Sequence, residues 1–325
     1  MNSSLPPVTY SRELLYADDT RQQRARRVRS GADIRIARGA YVESEGWARL
    51  SAREQHILLA RALSESGRQL PVLSHLTAAA IHGLPVLGQW PREVHAIVGR
   101  TPGGRSKSGV VKHAIALDDT DVVEFDGLRV TSLARTVVDL AASLPVMGGV
   151  VVADRALLVD RFSRGSALVD RDALLEVWAR MLPFRGHVRS LDVLTFAETR
   201  AESPLESVSR VTMRTLGVPK PILQQSFSDA EGWIGDTDFF WPEFNVVGEA
   251  DGDSKYLDAA LRSGRSADQV VLDEKIREDR LRALPKSLVR WRWAVGVNPA
   301  FCGLGCPARV FLEDAAGVSA SSARV

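Results

Sequence analysis

Eight acidic side chains crowd one segment of the chain that contains no lysine or arginine. The segment runs from Pro221 to Ser254, and its acids are Asp229, Glu231, Asp236, Asp238, Glu243, Glu249, Asp251 and Asp253. Carboxylate oxygens are the ligands that Mg²⁺ prefers, and a cation would relieve the repulsion between such closely spaced acids. The segment therefore predicts a divalent metal site, which is a common device for hydrolysing phosphate esters. The alternative is an exposed hairpin whose acids are simply solvated.

Two strands are predicted within this segment, over Trp233 to Trp241 and Val246 to Asp251, because both are rich in aromatic and β-branched residues. The four residues between them have the composition of a turn. If the turn is symmetric, opposed acids have Cβ atoms about 4.5–5.5 Å apart. The opposed acids are then Asp238 with Glu249 and Asp236 with Asp251.

A third carboxylate is expected from the helix that precedes the hairpin. Ser203 followed by Pro204 and Glu206 is a capping box, which predicts a helix to about Leu216. The predicted order from this helix onward is αβββαβ, with a helix over 266–283 and a last strand over 287–294. In that order Glu206 can lean over the hairpin and join its acids. Helix capping alone is the alternative role of Glu206.

Basic residues follow the acidic segment. The helix over 266–283 carries Lys275, Arg277 and Arg280, and we expect Arg277 and Arg280 to contact phosphates of a nucleic acid. Basic side chains beside an acidic metal pocket fit a track for a phosphate backbone. The alternative is that these side chains pair with neighbouring acids on a solvated helix face.

A second basic stretch lies near the N-terminus. A helical pattern that begins near Arg21 and ends at Gly31 is rich in arginine, and a short strand over 34–42 follows it. This order is typical of the recognition helix and wing of a winged-helix module, which would bind DNA phosphates. The residues predicted to make these contacts are Arg24, Arg27, Arg29, Arg35 and Arg38. A solvated charged helix before an edge strand is the alternative.

The first 150 residues or so resemble the AbiEi-type antitoxin-like regulators. The matching strings are Arg38 to Val42, Ser74 to Pro85, and Gly127 to Leu140. The resemblance implies an N-terminal winged helix with an αβ extension, and it assigns no catalytic residue.

Residues 200 to 295 resemble the PD-(D/E)XK nuclease superfamily, and more closely its very-short-patch-repair-like branch. The matching strings are Glu206 to Arg210, Gly217 to Pro221, Asp236 to Phe239, Gly248 to Gly252, Arg277 to Arg280, and Arg290 with Trp291. The resemblance implies that Asp238 and Glu249 bind the metal, with Glu206 as the accessory acid. The superfamily normally places lysine two residues after the second acid, where this chain has Asp251. Lys255 and Lys275 are the candidates to supply the missing cation, and Asp251 would then be a further metal ligand or the acid paired with that lysine.

Length and composition indicate the number of domains and the cellular compartment. The chain has 325 residues, which favours at least two domains. The expected divisions are an N-terminal region over 1–150, a helical connector over 151–200, a nuclease-like domain over 201–297, and a partly disordered tail over 298–325. Two cysteines and no long apolar run predict a cytoplasmic protein without a membrane partner.

Together these patterns predict an α/β (α+β) protein, with a winged-helix-like N-terminal region, an αβ extension and a restriction-endonuclease-like αβββαβ core. The predicted function is a DNA endonuclease dependent on Mg²⁺ or Mn²⁺, with a DNA-binding N-terminal domain. Asp251 favours an alternative, a non-enzymatic antitoxin-like transcriptional regulator with a degenerate nuclease fold. A protein-interaction scaffold is the third alternative. The expected partners are DNA and a second copy of the chain, and a toxin or operon partner if the protein is a regulator.

Overall fold

A computed structural model of the protein describes residues 5–12, 21–66, 72–98, 109–159, 166–251, 267–284 and 286–293. Lys255 and the tail over 298–325 lie outside these residues. The described chain mixes helices with several sheets, in agreement with the predicted α+β class. Within the described ranges, none of the helices has the length and apolar character needed to cross a membrane.

The chain divides into two compact units. The first comprises Met1–Ala156 and Leu168–Phe196, and the second comprises Leu157–Ala167 and Ala197–Val325. Of the segment predicted as a connector over 151–200, residues 151–156 and 168–196 lie in the first unit, and the main stretch of the second unit begins at Ala197.

A small sheet follows the first helix. Helix α1 (Arg21–Arg29) precedes a hairpin of β2 (Asp33–Ala37) and β3 (Ala40–Glu43), and β1 (Thr9–Tyr10) pairs with the other side of β3. Gly39 in the hairpin turn has a φ of +76°, which a glycine adopts without strain. The sequence predicted one strand over 34–42 after the basic helix, whereas the structure has two antiparallel strands, because the chain turns at Arg38 and Gly39.

The rest of the first unit contains a five-stranded mixed sheet with the order β6-β5-β4-β8-β7. Its strands are β4 (Val72–Leu73), β5 (Val94–Ile97), β6 (Val110–His113), β7 (Val122–Phe125) and β8 (Leu128–Thr131). The helices that complete this part of the chain are α2 (Ser44–Ala48), α3 (Ala52–Ser66), α4 (His75–His82), α5 (Leu133–Ser143), α6 (Val146–Leu157), α7 (Arg171–Met181) and α8 (His187–Phe196).

Three histidines meet in the first unit. The rings of His75 and His113 stack with centroids 3.6 Å apart, and His95 Nδ1 lies 3.0 Å from His113 Nε2. Burial, followed by the charge of the neighbouring rings, lowers the pKa of His75 to about 2 and that of His95 to about 4. Burial also lowers the pKa of His113. The histidine cluster of these three residues is consequently neutral at pH 7.

The second unit has the element order αβββαβ. Its elements are α9 (Pro204–Thr215), β9 (Ile222–Asp229), β10 (Gly232–Trp241), β11 (Val246–Ala250), α10 (Ala267–Ala283) and β12 (Ser287–Trp291). The sheet order is β12-β11-β10-β9, in which β9, β10 and β11 are antiparallel neighbours and β12 is parallel to β11. Parallel neighbours need a crossover connection, and α10 lies within that connection.

Helix α9 begins and ends as its sequence predicts. The Ser203 hydroxyl accepts a hydrogen bond from Glu206 N at 3.2 Å, and Pro204 occupies the first helical position. At the other end, Gly217 has a φ of +71° and Val218 N donates to Met213 O at 2.9 Å. These bonds satisfy backbone groups that a helix end would otherwise leave without partners.

The register predicted from a symmetric turn is the register of β10 and β11. Phe239 pairs with Gly248, and Trp241 pairs with Val246. Asp238 and Glu249 lie one step past the pair of Phe239 with Gly248, where Asp238 Oδ2 accepts a hydrogen bond from Ala250 N. Strand β11 ends at Ala250, so the other predicted pair lies beyond the ladder that the two strands form.

Aromatic rings fill the core on one face of this sheet. The rings of Phe239 and Trp291 stack with centroids 5.2 Å apart, and Trp241 lies beside Phe239. A Cβ atom at Gly248 would lie 2.8 Å from Trp291, so a glycine is required there. Because side chains alternate along a strand, Asp238 and Glu249 project from the opposite face.

Because of the histidine cluster, we expect the free energy of unfolding to fall in acid. The pKa values of the cluster are lower in the folded chain than the ordinary value of 6.5, so protonation favours unfolding as the pH falls below about 6.5. Each fully affected histidine contributes a slope of up to about 1.4 kcal/mol per pH unit. The measurement is urea denaturation of wild type and His113→Phe between pH 7 and 4.5.

We expect His113→Phe to reduce this pH dependence, because phenylalanine can stack on His75 but cannot be protonated. The quantity to compare is the difference between the two proteins at each pH, which removes the contribution of the carboxylates. Parallel curves would contradict the assignment.

Candidate functional site

Gln224 of β9 lies between two carboxyl groups that belong to other elements. Its Nε2 atom donates to Glu206 Oε2 at 3.0 Å and to Asp238 Oδ1 at 3.3 Å. All three residues are buried. One amide therefore joins the first turn of α9 to β10, where the sequence predicted that acids would meet. Gln224 is absent from the predicted site because a neutral side chain leaves no mark on a charge pattern.

The backbone of Gln224 departs from ordinary strand geometry. Its φ is +52°, although it lies between the ladder pairs Leu223 with Phe239 and Gln225 with Thr237. A left-handed conformation costs on the order of 1–3 kcal/mol for a residue other than glycine. The strand thus carries strain at the residue whose amide contacts both acids.

Glu206 is the accessory acid of the predicted site, and its environment opposes ionisation. Burial, and after it the negative charge of Asp238, raise the pKa of Glu206 to about 8. Glu202 N donates to its Oε2 atom at 3.0 Å, which favours the ionised form without outweighing burial. Glu206 is therefore largely protonated at pH 7. A proton or a metal cation would equally relieve its repulsion with Asp238.

Asp238 and Glu249 lie close together on adjacent strands. Asp238 Oδ2 accepts a hydrogen bond at 2.7 Å from the backbone N–H of Ala250, the residue after Glu249. Their residues are 7% and 3% exposed. Carboxylates this well buried need hydrogen bonds or a cation to offset the loss of hydration. Glu206, Asp238 and Glu249 are called the acidic cluster below.

Arg277 of α10 contacts the acidic cluster. Its Nη2 atom donates to Glu249 Oε1 at 3.0 Å and to the carbonyl oxygen of Asp236 at 2.8 Å, while Nη1 donates to Glu274 Oε1 at 2.9 Å. Burial lowers the pKa of this guanidinium, but Glu249 and Glu274 outweigh burial and keep the pKa above its ordinary value. A Cβ atom at Gly235 would lie 2.7 Å from Arg277 Nε. The glycine therefore makes room for the arginine.

In the part of the chain that the structure describes, the basic side chains beside the acids of this face are arginines and not lysines. Asp251 stands where the superfamily has lysine, and its Oδ2 atom lies 3.7 Å from Arg290 Nη1. Lys275 is exposed and lies two residues before Arg277 on α10, so the two side chains point to different sides of the helix. The structure consequently does not bring Lys275 to the acidic cluster. Lys255 lies outside the described residues.

The acidic cluster suits a divalent ion in the kind of donors that it offers. In the described part of the chain, no group of three or more His, Cys, Asp or Glu side chains is arranged as a ready-made metal site. Mg²⁺, however, is commonly held by only one or two carboxylates together with waters and substrate phosphates. Asp238 and Glu249 meet that requirement. Glu206 can lose its proton when an ion binds, because the positive charge of the ion then offsets the negative charge of the carboxylate.

The other arginine predicted on α10 is also paired with acids. Arg280 Nε lies 2.9 Å from Asp229 Oδ2 and 3.6 Å from Glu231 Oε2, both near the turn between β9 and β10. Arg280 thus pairs with acids near the β9–β10 turn, whereas the alternative left open by the sequence expected partners on the helix itself, as Arg277 has in Glu274.

The predicted DNA-binding arginines of α1 differ in their surroundings. Arg27 contacts the buried Asp33 carboxylate through Nε at 2.9 Å and Nη2 at 2.7 Å, and Arg24 Nη1 bonds to the same carboxylate. The hydrogen bond from Arg27 is the main cause of the lowered pKa of Asp33. The Arg24 side chain is 11% exposed and that of Arg27 is 46% exposed. Arg24 is thus placed to hold Asp33, and this position argues against its predicted contact with phosphate.

The remaining predicted arginines, Arg29, Arg35 and Arg38, are exposed. Arg29 Nε donates to Ala25 O at 3.2 Å, and Arg35 Nε donates to Ala37 O at 3.3 Å. A groove of about 790 Å³ lies beside α1, and its charged lining consists of Arg24, Arg26, Arg27, Asp33 and Glu43. The groove is therefore of mixed charge.

Two proteins of Mycobacterium tuberculosis are similar to this chain in sequence. The uncharacterized proteins Rv2248 of strain H37Rv and MT2308 of strain CDC 1551 are each 28% identical over 232 residues, which cover 71% of this chain and 78% of theirs. The crystal structure of the RV2827C protein from Mycobacterium tuberculosis covers 70% of this chain and 85% of its own, with a TM-score of 0.36 and 14% identity. No family model matches the sequence.

The bridging amide predicts the effect of a substitution at Gln224. Gln224→Leu leaves the Glu206 and Asp238 carboxyl groups without their shared donor, so we expect the free energy of unfolding to fall by about 1–3 kcal/mol. Gln225→Leu is the matched control, because Gln225 is the neighbouring residue and its amide donates to the carbonyl oxygen of Ser226. Urea denaturation at pH 7 measures both. Equal losses in the two variants would contradict a special role for Gln224.

Proposed function

We propose that the protein is a metal-dependent DNA endonuclease, with a restriction-endonuclease-like C-terminal core and a winged-helix-like N-terminal region that binds DNA. The observation that carries this proposal is the acidic cluster, in which side chains from α9, β10 and β11 gather around one amide and one guanidinium. DNA is the expected substrate because basic side chains lie in both units.

The architecture of the second unit supports the proposal. Leu205 and Met213 of α9 belong to the same core as Phe239 and Trp241, on one face of the sheet. Arg277 of α10 contacts Glu249 on the opposite face. A mixed sheet between two helices, in the order αβββαβ, is what the resemblance to the PD-(D/E)XK superfamily implies.

The residues of the chain have distinct tasks in this mechanism. Asp238 and Glu249 would hold Mg²⁺ or Mn²⁺, and Gln224 keeps Asp238 and Glu206 in place. Such an ion, when bound, supplies a hydroxide at neutral pH and offsets negative charge on the phosphate. Hydrolysis joins the oxygen of one water to phosphorus, breaks one P–O ester bond and transfers a proton of that water to the leaving oxygen. Arg277 is placed to neutralise charge near the reacting phosphate.

A non-enzymatic DNA-binding regulator is the second candidate function. The observation that favours it is the pairing of Glu249 with Arg277 and of Asp251 with Arg290. Acids that protein cations already neutralise can be buried without a metal ion. Dimerisation and a toxin or operon partner belong to this candidate and stay predictions.

Plasmid cleavage tests the choice between the two candidates. With Mg²⁺ or Mn²⁺, we expect the wild type to nick supercoiled DNA and Asp238→Asn to lower the rate at least about 10²-fold, because even less direct changes around a metal cost 10–100-fold. Glu243→Gln, an exposed acid in the turn after β10, is the control that should keep full activity. If the wild type cleaves in neither metal, the regulator is the better proposal.

DNA binding by the N-terminal region can be tested through its salt dependence. Replacing Arg29, Arg35 and Arg38 by alanine should weaken binding and reduce the slope of log K against log salt by up to about 0.9 for each phosphate that the variant no longer neutralises. Arg24→Ala should instead lower the melting temperature, because Arg24 holds the buried Asp33. An unchanged salt slope in the triple variant would exclude this surface as the DNA-binding site.

A further inference from the structure

We infer that Arg277 and a divalent metal ion are alternative partners of Glu249, and that metal binding transfers the guanidinium to a phosphate of the DNA. This inference rests on the proposed nuclease function. It identifies the cation of the site as an arginine from α10, whereas the sequence pointed to Lys255 or Lys275.

The contacts of Arg277 place it where an ion would bind. Its Nη2 atom lies 3.0 Å from Glu249 Oε1, and the Glu249 side chain is only 4% exposed. Mg²⁺ would approach the same carboxylate to about 2.0–2.1 Å. Two cations on one buried carboxylate repel each other strongly, because little water screens them. Metal binding is therefore expected to weaken the contact between Arg277 and Glu249, and the reverse follows from thermodynamic linkage.

The surroundings of Arg277 allow the exchange. Its side chain is 22% exposed, so the guanidinium has a route to solvent. Its Nη1 atom contacts Glu274, which lies one helical turn earlier. This contact can hold one side of the guanidinium while Nη2 leaves Glu249. Gly235 leaves the space that the side chain crosses on β10. A planar guanidinium that leaves Glu249 is suited to bind a phosphate through two parallel hydrogen bonds.

The experiment measures Mn²⁺ binding to the full chain without DNA, by electron paramagnetic resonance, and plasmid cleavage in parallel. We expect Arg277→Met to bind Mn²⁺ about tenfold more tightly than wild type, within the usual range for coupled ligands. The same variant should cleave DNA about 10²-fold more slowly, because it has lost the cation that stabilises the phosphate. Arg282→Met is the control, since Arg282 is on the same helix and pairs with Glu278. It should leave both quantities unchanged.

A double variant separates competition from a loss of folding. Glu249→Gln with Arg277→Met removes both charges, so no buried carboxylate is left without its guanidinium, and circular dichroism verifies the fold of each variant. The double variant should lose the gain in Mn²⁺ affinity. If it keeps that gain, the ion is not at Glu249 and the inference is wrong.

Two further outcomes distinguish a failure of this inference from a failure of the proposed nuclease function. If wild type and Arg277→Met bind Mn²⁺ equally while wild type cleaves DNA, the exchange is wrong and the nuclease proposal stands. If no variant binds Mn²⁺ and none cleaves, the nuclease proposal fails and the exchange fails with it.

Discussion

The burial of carboxyl groups is the constraint on which the second unit depends. Glu206, Asp238 and Glu249 are each less than a tenth exposed, and an unpaired buried carboxylate costs several kcal/mol. The Gln224 amide, the Arg277 guanidinium and the backbone N–H groups of Glu202 and Ala250 donate to these groups, and Glu206 is largely protonated at pH 7, which together offset this cost. Other irregularities follow from that arrangement. Gln224 adopts a left-handed backbone to direct its amide, and Gly235 lacks the side chain that would block Arg277.

One face of the sheet carries the aromatic core, and the other face carries charged side chains. Phe239, Trp241 and Trp291 stack on the face that packs against α9, where Gly248 leaves the space for their rings. The other face carries Glu249 and Arg290, which are paired in register on neighbouring strands. The three aromatic rings bury a large apolar area on the face that packs against α9.

Local sequence rules predicted much of this unit. The capping box at Ser203 gave the start of α9, and a symmetric turn gave the register of the hairpin, because both depend on short-range geometry. The partners of the acids could not be predicted in the same way. Gln224 carries no charge, and the direction of Arg277 depends on how α10 is rotated against the sheet, which only tertiary packing decides. The same limit applies near the N-terminus, where α1 is visibly basic but the pairing of Arg24 with Asp33 requires the folded hairpin.

The parallel pairing of β11 and β12 has a consequence for the order of assembly. Strands β10 and β11 are joined by a tight turn, whereas β12 reaches β11 only after α10 has crossed over. Hairpins form within microseconds, while pairing across a long connection is slower. We therefore expect Asp238 and Glu249 to be aligned while water still surrounds them, and Arg277 and Arg290 to join them later with α10 and β12. If the charged face loses its water in that late step, dissolved salt should act mainly on the completion of folding and little on its nucleation.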